Sequence, residues 1–132
     1  KKKKATHLMV EDIKQGYKNL KMKQYNIKDM KNGWFIGNFE PSVFKNPFFE
    51  VAHHFHEAGF KGELHYHKIA PELTYIISGR LVASGEELFG GDMFLYEPNE
   101  IAQVEFLEDT HLIVVKWPSV PSDKYLMEKK SE

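Results

Sequence analysis

Residues 63–72 read ELHYHKIAPE, and the reading of the whole chain turns on them. In an extended strand alternate side chains share a face, so His65 and His67 point the same way, about 7 Å apart along the chain, while Tyr66 points to the opposite face. Two imidazoles at that separation can take one metal ion. The KIAP segment that follows supplies a short turn with Pro71, and Glu72 then heads the apolar strand ELTYIISG. A carboxylate at the head of a returning antiparallel strand can stand beside the two imidazoles and complete a facial set of two histidines and one carboxylate.

Outward from this stretch the texture is that of a β protein. From Gly33 onward short segments follow one another: GWFIGNFEPSV, FFEVAHHFHEAG, GELHYHK, LTYIISGRLVASG, GGDMFLYEPNE, AQVEFLEDTHLIVVKW and a terminal PSVPSDKYL. Strands at roughly ten-residue spacing, divided by turns rich in Gly, Pro and Asn, indicate an all-β sandwich or barrel. In SGEELFGGD, Gly85, Gly90 and Gly91 suit successive tight turns that need positive φ. In the turn at 97–100, Pro98 sets φ and Asn99 tolerates a left-handed backbone. The prolines of WPSVPSDKY lack ladder donors, which makes this segment the exit from the barrel. Residues 5–32 are lysine-rich and hold no clean helical stripe, so they read as an arm with one or two short strands or a helical turn. The expected division is an N-terminal arm or extra strands over 1–32, a barrel over 33–118 and a C-terminal tail over 119–132, with no internal repeat.

Composition narrows the chemistry. The 132 residues, 42% hydrophobic and 14% aromatic, suit one globular domain with a real core. A net charge of -1 gives no field that points to nucleic acid or an anionic membrane, so small molecules and protein surfaces are the expected partners. There are no cysteines, which removes disulfides, thiolate metal sites and cysteine nucleophiles. Any metal must be held by His, Asp, Glu or Gln, a donor set that favours Fe, Mn, Ni, Co or Zn. The longest apolar runs, such as HLIVVKW, are strand-length and far short of a membrane span, and no signal-peptide pattern is present, so a cytoplasmic protein is the default expectation. The opening KKKK reads as a solvated end.

The series Gly59, five residues, His65, one, His67, four, Glu72, six, Gly79 resembles the first signature motif of the cupin superfamily at every defined position. The resemblance extends over roughly residues 34–117. It implies an all-β fold, a cupin-type double-stranded β-helix (jelly-roll) barrel with an N-terminal arm, and one divalent metal ion held in its mouth by His65, His67 and Glu72. The second family motif runs Gly, five residues, Pro, one, Gly, two, His, and that histidine is the fourth ligand. Here GDMFLYEPNEIAQ gives Gly91, six residues, Pro98, one, Glu100, two, Gln103. Counted from Pro98, Gln103 takes the histidine's place and Gly91 is one residue too far away, an excess that a β-bulge can absorb. A glutamine oxygen is a neutral and weaker donor than imidazole, so Gln103 is expected as a weak fourth ligand or as a group turned toward substrate.

Further candidates lie on neighbouring strands. In HHFH, His54 and His56 share one face and His53 and Phe55 the other. In cupins the preceding strand lies beside the site, so His54 or His56 is a candidate to touch substrate, against the simpler role of a hydrogen-bonded core or rim histidine. Glu105 shares the face of Gln103 and is a candidate acid, base or missing anionic ligand, against that of a solvated glutamate. Tyr75 and Tyr96 are further pocket candidates, although Tyr75 faces away from Glu72. Trp34, Phe35, Phe39, Phe44, Phe48 and Phe49 read as core or dimer-interface material, and segment 34–49 points to a homodimer. His7 and His111 are assigned no role.

The resemblance leaves the reaction open. A metal-dependent enzyme (isomerase or epimerase, lyase, or oxygenase) acting on a small oxygen-rich substrate, such as a sugar derivative or a hydroxy or keto acid, is the leading reading. A non-catalytic small-molecule or sugar-binding module is the alternative, and a metal-free isomerase using histidines directly is a third.

Overall fold

The computed structural model describes residues 4–127. Lys1–Lys3, and so most of the KKKK run, and the charged end of the tail at 128–132 lie outside the described residues.

The fold is built around strand β10 (Thr110–Lys116). Thr110, Leu112, Val114 and Lys116 are buried while the residues between them are half-buried, the period-2 pattern of a strand with a core on one face. It pairs antiparallel with β3 (Glu50–His56) on one side and β5 (Glu72–Ser78) on the other. Beyond β3 lie β1 (Trp34–Gly37) and then β2 (Phe44–Lys45), which runs parallel to β1; beyond β5 lies β8 (Met93–Tyr96). A three-stranded sheet places β6 (Arg80–Ala83) between β7 (Glu86–Phe89) and β9 (Val104–Phe106). A third, short pairing joins β4 (His65–Tyr66) to β11 (Tyr125–Leu126).

Leu81, Ala83 and Phe106 of the three-stranded sheet close over Ala52, Ile76, Leu112 and Val114 of the large one, which makes the core of a sandwich. Gly79 lets β5 turn into β6 against the start of β10. Its φ is +108, and a Cβ there would collide with the Thr110 side chain and the Asp109 carbonyl.

Three segments depart from the sequence reading. EELF is a strand, β7, rather than part of a run of turns: Ser84 (φ 48) and Gly85 (φ 84) both have positive φ, as a two-residue hairpin turn requires, and β6 is the pairing partner. Residues His7–Gly16 form a helix, α1, capped by Thr6, whose side chain accepts from the Met9 amide. No residue of α1 is buried, so local capping and not an apolar stripe shapes it. The tail does not simply exit: Tyr125 and Leu126 pair with Tyr66 and His65. Asn99 is left-handed (φ 71), as expected from its turn. No helix among the described residues is long and apolar enough to cross a membrane.

Candidate metal centre

Extended backbone through β4 and the residue after it puts His65 and His67 on one side, with ring centroids 5.2 Å apart. The carbonyl of Glu63 accepts a hydrogen bond from His65 Nδ1 at 2.8 Å, which fixes the ring and leaves Nε2 as the free donor. The Nε2 of His67 lies 3.6 Å from Oε2 of Glu72. One donor atom from each of His65, His67 and Glu72 lies within 4.8 Å of the others. Two nitrogens and a carboxylate oxygen gathered this closely fit a single first-row divalent ion.

The electrostatics suit ligation. Burial, reinforced by the positive charge of Lys116, holds His67 at a pKa of about 4, so its ring is neutral and able to bind metal at physiological pH. Burial also pushes the Glu72 carboxyl upward, and Lys116 opposes that shift.

The turn between His67 and Glu72 is held from the tail. The Asp123 carboxylate is 1% exposed and accepts from the amides of Lys68 at 2.8 Å, Ile69 at 3.0 Å and Ala70 at 2.9 Å. Burial works against its ionisation, but the amides of Ala70, Lys68 and Ile69 outweigh it and hold the carboxyl below its ordinary range.

These donors open on a cavity of about 870 Å³, in the usual range for small-molecule sites of roughly 300–1,000 Å³. The strand register orders its inner wall in rows. One row runs Glu50, Lys116, Glu72 and Tyr96 across β3, β10, β5 and β8; the next runs Ala52, Val114, Thr74 and Phe94; a third holds His54, Leu112 and Ile76. The first row is polar and contains the candidate ligand Glu72, and Lys116 within it is 4% exposed and Glu50 3%.

The other sequence candidates are placed as follows. Gln103 is not on the cavity wall; Ala102 and Val104 are. The Ala102 amide donates to the His65 carbonyl at 2.7 Å and the Asn99 amide to the His67 carbonyl at 2.7 Å, so the 99–102 segment runs along the ligand strand with Ala102 turned inward. The proper count therefore starts from Gly91, not Pro98: with five residues between, Glu97 takes the proline position, the left-handed Asn99 takes the glycine position, and Ala102 takes the histidine position. No bulge is needed, and the fourth-ligand position carries a methyl group. Gln103 instead holds Tyr96 through its backbone, with the Tyr96 hydroxyl donating to the Gln103 carbonyl at 3.2 Å.

Glu105 shares the outward face of Gln103 and its carboxylate lies 3.8 Å from Lys61 Nζ at the surface, outside the cavity wall. Tyr75 is 41% exposed on the outer face of the large sheet, whereas Tyr96 lines the cavity. His54 and His56 also line it. Their rows, two and three steps from that of Glu72, set them on the order of 13–20 Å away along the strands, at 3.3–3.4 Å per residue. His54 packs edge-on against Trp34 with centroids 5.5 Å apart, and His56 stacks on Phe60 at 4.7 Å. Burial and the neighbouring His56 hold His54 at about 4, and burial lowers His56. Of the aromatic set assigned to core or interface, Trp34 packs against the core and also lines the cavity, and Phe39 lines the cavity too.

The sequence reading missed Lys116 and Glu50. The signal was present in THLIVVK: alternation from the buried Leu112 and Val114 puts Lys116 inward, where an unpaired charge has no structural reason to be.

No protein-family model matches the sequence, and no curated protein does. Solved structures do match. One is a protein with a double-stranded β-helix domain from Klebsiella pneumoniae, 17% identical over 83% of this chain and 100% of that one, with a TM-score of 0.61. A second is the DMSP lyase DddQ from Ruegeria pomeroyi, 18% identical over 74% of this chain and 51% of that one, with a TM-score of 0.59. A third is an RmlC-like cupin from Shewanella frigidimarina, 20% identical over 58% of this chain and 71% of that one, with a TM-score of 0.52. At these identities the likeness is one of fold. Together with the strand order and the core, it shows that the chain folds as a cupin, an all-β double-stranded β-helix.

Proposed function

We propose that this cupin is a metal-dependent enzyme that holds one divalent first-row ion through His65, His67 and Glu72 and acts on a small oxygen-rich molecule. The observation that carries this reading is the set of three donors within 4.8 Å, together with a methyl group at Ala102 where a fourth ligand would stand. Three protein ligands leave coordination positions open, as a catalytic ion needs and a structural one does not. When bound, the ion supplies Lewis acidity to an oxygen of the substrate.

The chain's own residues do the rest. Thr74, Val104 and Phe94 line the same cavity as the centre and give it an apolar flank. Glu50, Lys116 and Tyr96 share the row of Glu72 and are the groups placed to hold or move a proton beside it. His54 and His56, with Trp34, are assigned to the far part of a ligand long enough to reach them. Isomerisation, epimerisation and elimination all suit a site with a Lewis acid beside proton-carrying groups, and the facial triad also suits an oxygenase.

Elemental analysis of purified protein tests the reading. Close to one Fe, Mn, Co, Ni or Zn per chain is expected, and none in His65→Ala; under about 0.1 per chain in the wild type, with no uptake on titration, overturns it. The placement of Glu105 outside the cavity favours one second reading, a module that binds ligand and metal without turnover. Metal and ligand binding with no change in the ligand after prolonged incubation would establish that reading. We also propose a homodimer through the outer face of the large sheet, which exposes Phe55, Tyr75, Ile77, Met93 and Leu95.

A further inference from the structure

Lys116 is the most unusual residue in the cavity wall. A lysine 4% exposed at an inward strand position is rare unless it is paired. Its cross-strand partners are both glutamates, Glu50 on β3 and Glu72 on β5. Yet among the described residues its ammonium makes no ion pair within 4 Å: the Glu50 carboxylate accepts instead from Ser119 Oγ at 3.2 Å, and Glu72 faces His67 at 3.6 Å. The Trp34 ring, with its centroid 6.0 Å from Nζ, stands over the same space.

Charge shows what that ammonium is for. At the mouth, exposed Lys31 and Lys124 offset exposed Glu40 and Glu63. In the interior, Glu50 and Glu72 flank Lys116 across the strands, and the buried Asp123 carboxylate is a third negative charge that acts with it. A divalent ion on Glu72 and the two histidines would engage that carboxylate, while Ser119 holds Glu50 and backbone amides hold Asp123, and the ammonium would keep no directly paired counter-ion in a partly desolvated space. A buried charge without a direct partner is costly, and an anion that enters beside it lowers the cost.

We propose that Lys116 is the anion-binding residue of this cavity and that the ligand presents a carboxylate or phosphate oxygen to it while another of its oxygens faces the metal centre. This rests on the metal reading for the engagement of Glu72. It narrows the oxygen-rich ligand to an anionic one, with its charged end on the Glu50–Lys116–Glu72 row. It also couples the two sites: the metal strengthens anion binding, and the anion strengthens metal binding by the same factor.

The test uses Mn(II), glycolate, its uncharged counterpart glycolamide and inorganic phosphate, with calorimetric titration of wild type, Lys116→Met and Lys116→Arg. Wild type loaded with Mn(II) is expected to bind glycolate or phosphate, whichever source of the oxyanion fits, and to bind glycolamide at least tenfold more weakly. In Lys116→Met the anion weakens about 10- to 100-fold, the loss of one charge-assisted hydrogen bond, while Mn(II) binding is unchanged or tighter. Lys116→Arg keeps most of the anion affinity. Equal binding of glycolate and glycolamide by wild type overturns the proposal without recourse to any variant, as does anion binding unaffected by Lys116→Met, or no binding of either anion. If Mn(II) fails to bind wild type, the metal reading falls; glycolate or phosphate binding to metal-free wild type that is lost in Lys116→Met then still assigns the anion to Lys116, and its absence removes both.

Discussion

Position 102 separates two descriptions of this site that differ by a single residue in the count. The Ala102 methyl faces the cavity, and Gln103 beside it turns outward, because successive side chains of extended backbone alternate. Gln103→Ala should therefore leave metal affinity within about twofold, as for a surface substitution. Ala102→His should add an imidazole to the centre and tighten Mn(II) or Zn(II) at least about tenfold, or about 1.4 kcal/mol, while slowing turnover by filling an open position. Competition titration with a chelator reads both, and weaker metal binding in Gln103→Ala would restore the fourth ligand that this geometry denies. His54 supplies a pH signature at the same scale. Its folded pKa of about 4 lies below the ordinary 6.5, so the unfolded chain binds more protons between those values, and stability falls as pH drops from about 6.5 toward 4. Glu72, whose pKa is raised, works the other way above its ordinary value of 4.5, so the comparison needed is wild type against His54→Phe. Thermal unfolding of the metal-free proteins should show a steeper decline in wild type across that window; parallel curves would refute the assignment.

Among the elements, β4 is the weak one. Two residues long and half-buried, it is held by β11 on one edge and by the bridge from Ala102 on the other. The turn that follows it takes its shape from Asp123, some fifty residues later, through three backbone amides. Asp123→Ala leaves those donors buried without partners and should cost about 2–4 kcal/mol. It should also weaken metal binding, because the distance between His67 and Glu72 depends on that turn. Chemical denaturation and metal titration of the variant check the two effects, and an Asp123→Ala protein with wild-type metal affinity would show that the turn stands by itself. This dependence was hidden in the sequence. WPSVPSDKY announces a break in the ladder through its prolines, and nothing local reveals that the chain then returns to the first motif. The strand β7 was hidden for a related reason: EELF has no clear alternation, and the Ser84–Gly85 turn and the partner β6 impose its extended form.

For the molecule as a whole, the outer face of the large sheet remains to be covered. Phe55 (46% exposed), Ile77 (45%) and Met93 (62%) lie on it together with Tyr75 and Leu95. A second copy of the chain would bury this face, so light scattering should give about twice the 15.4 kDa chain mass, and Ile77→Lys with Tyr75→Glu should return it to one. A monomeric wild type at micromolar concentration contradicts the dimer. The reach of local rules is clear at this scale. The alternation of ELHYHK, the turn at Pro71 and the spacing from Gly59 to Gly79 place two imidazoles and a carboxylate together, because each step depends on strand geometry over a few residues. The barrel follows from short strands and frequent turns in the same way. Folding alone settled the rest. Whether residue 102 or 103 faces the cavity depends on pairing with a strand more than thirty residues earlier, and the row of Glu50, Lys116 and Glu72 exists only where three distant strands come into register. One-residue shifts of register exchange the inner and outer faces of a strand, so such assignments need the partner strand and cannot come from the chain's own neighbours.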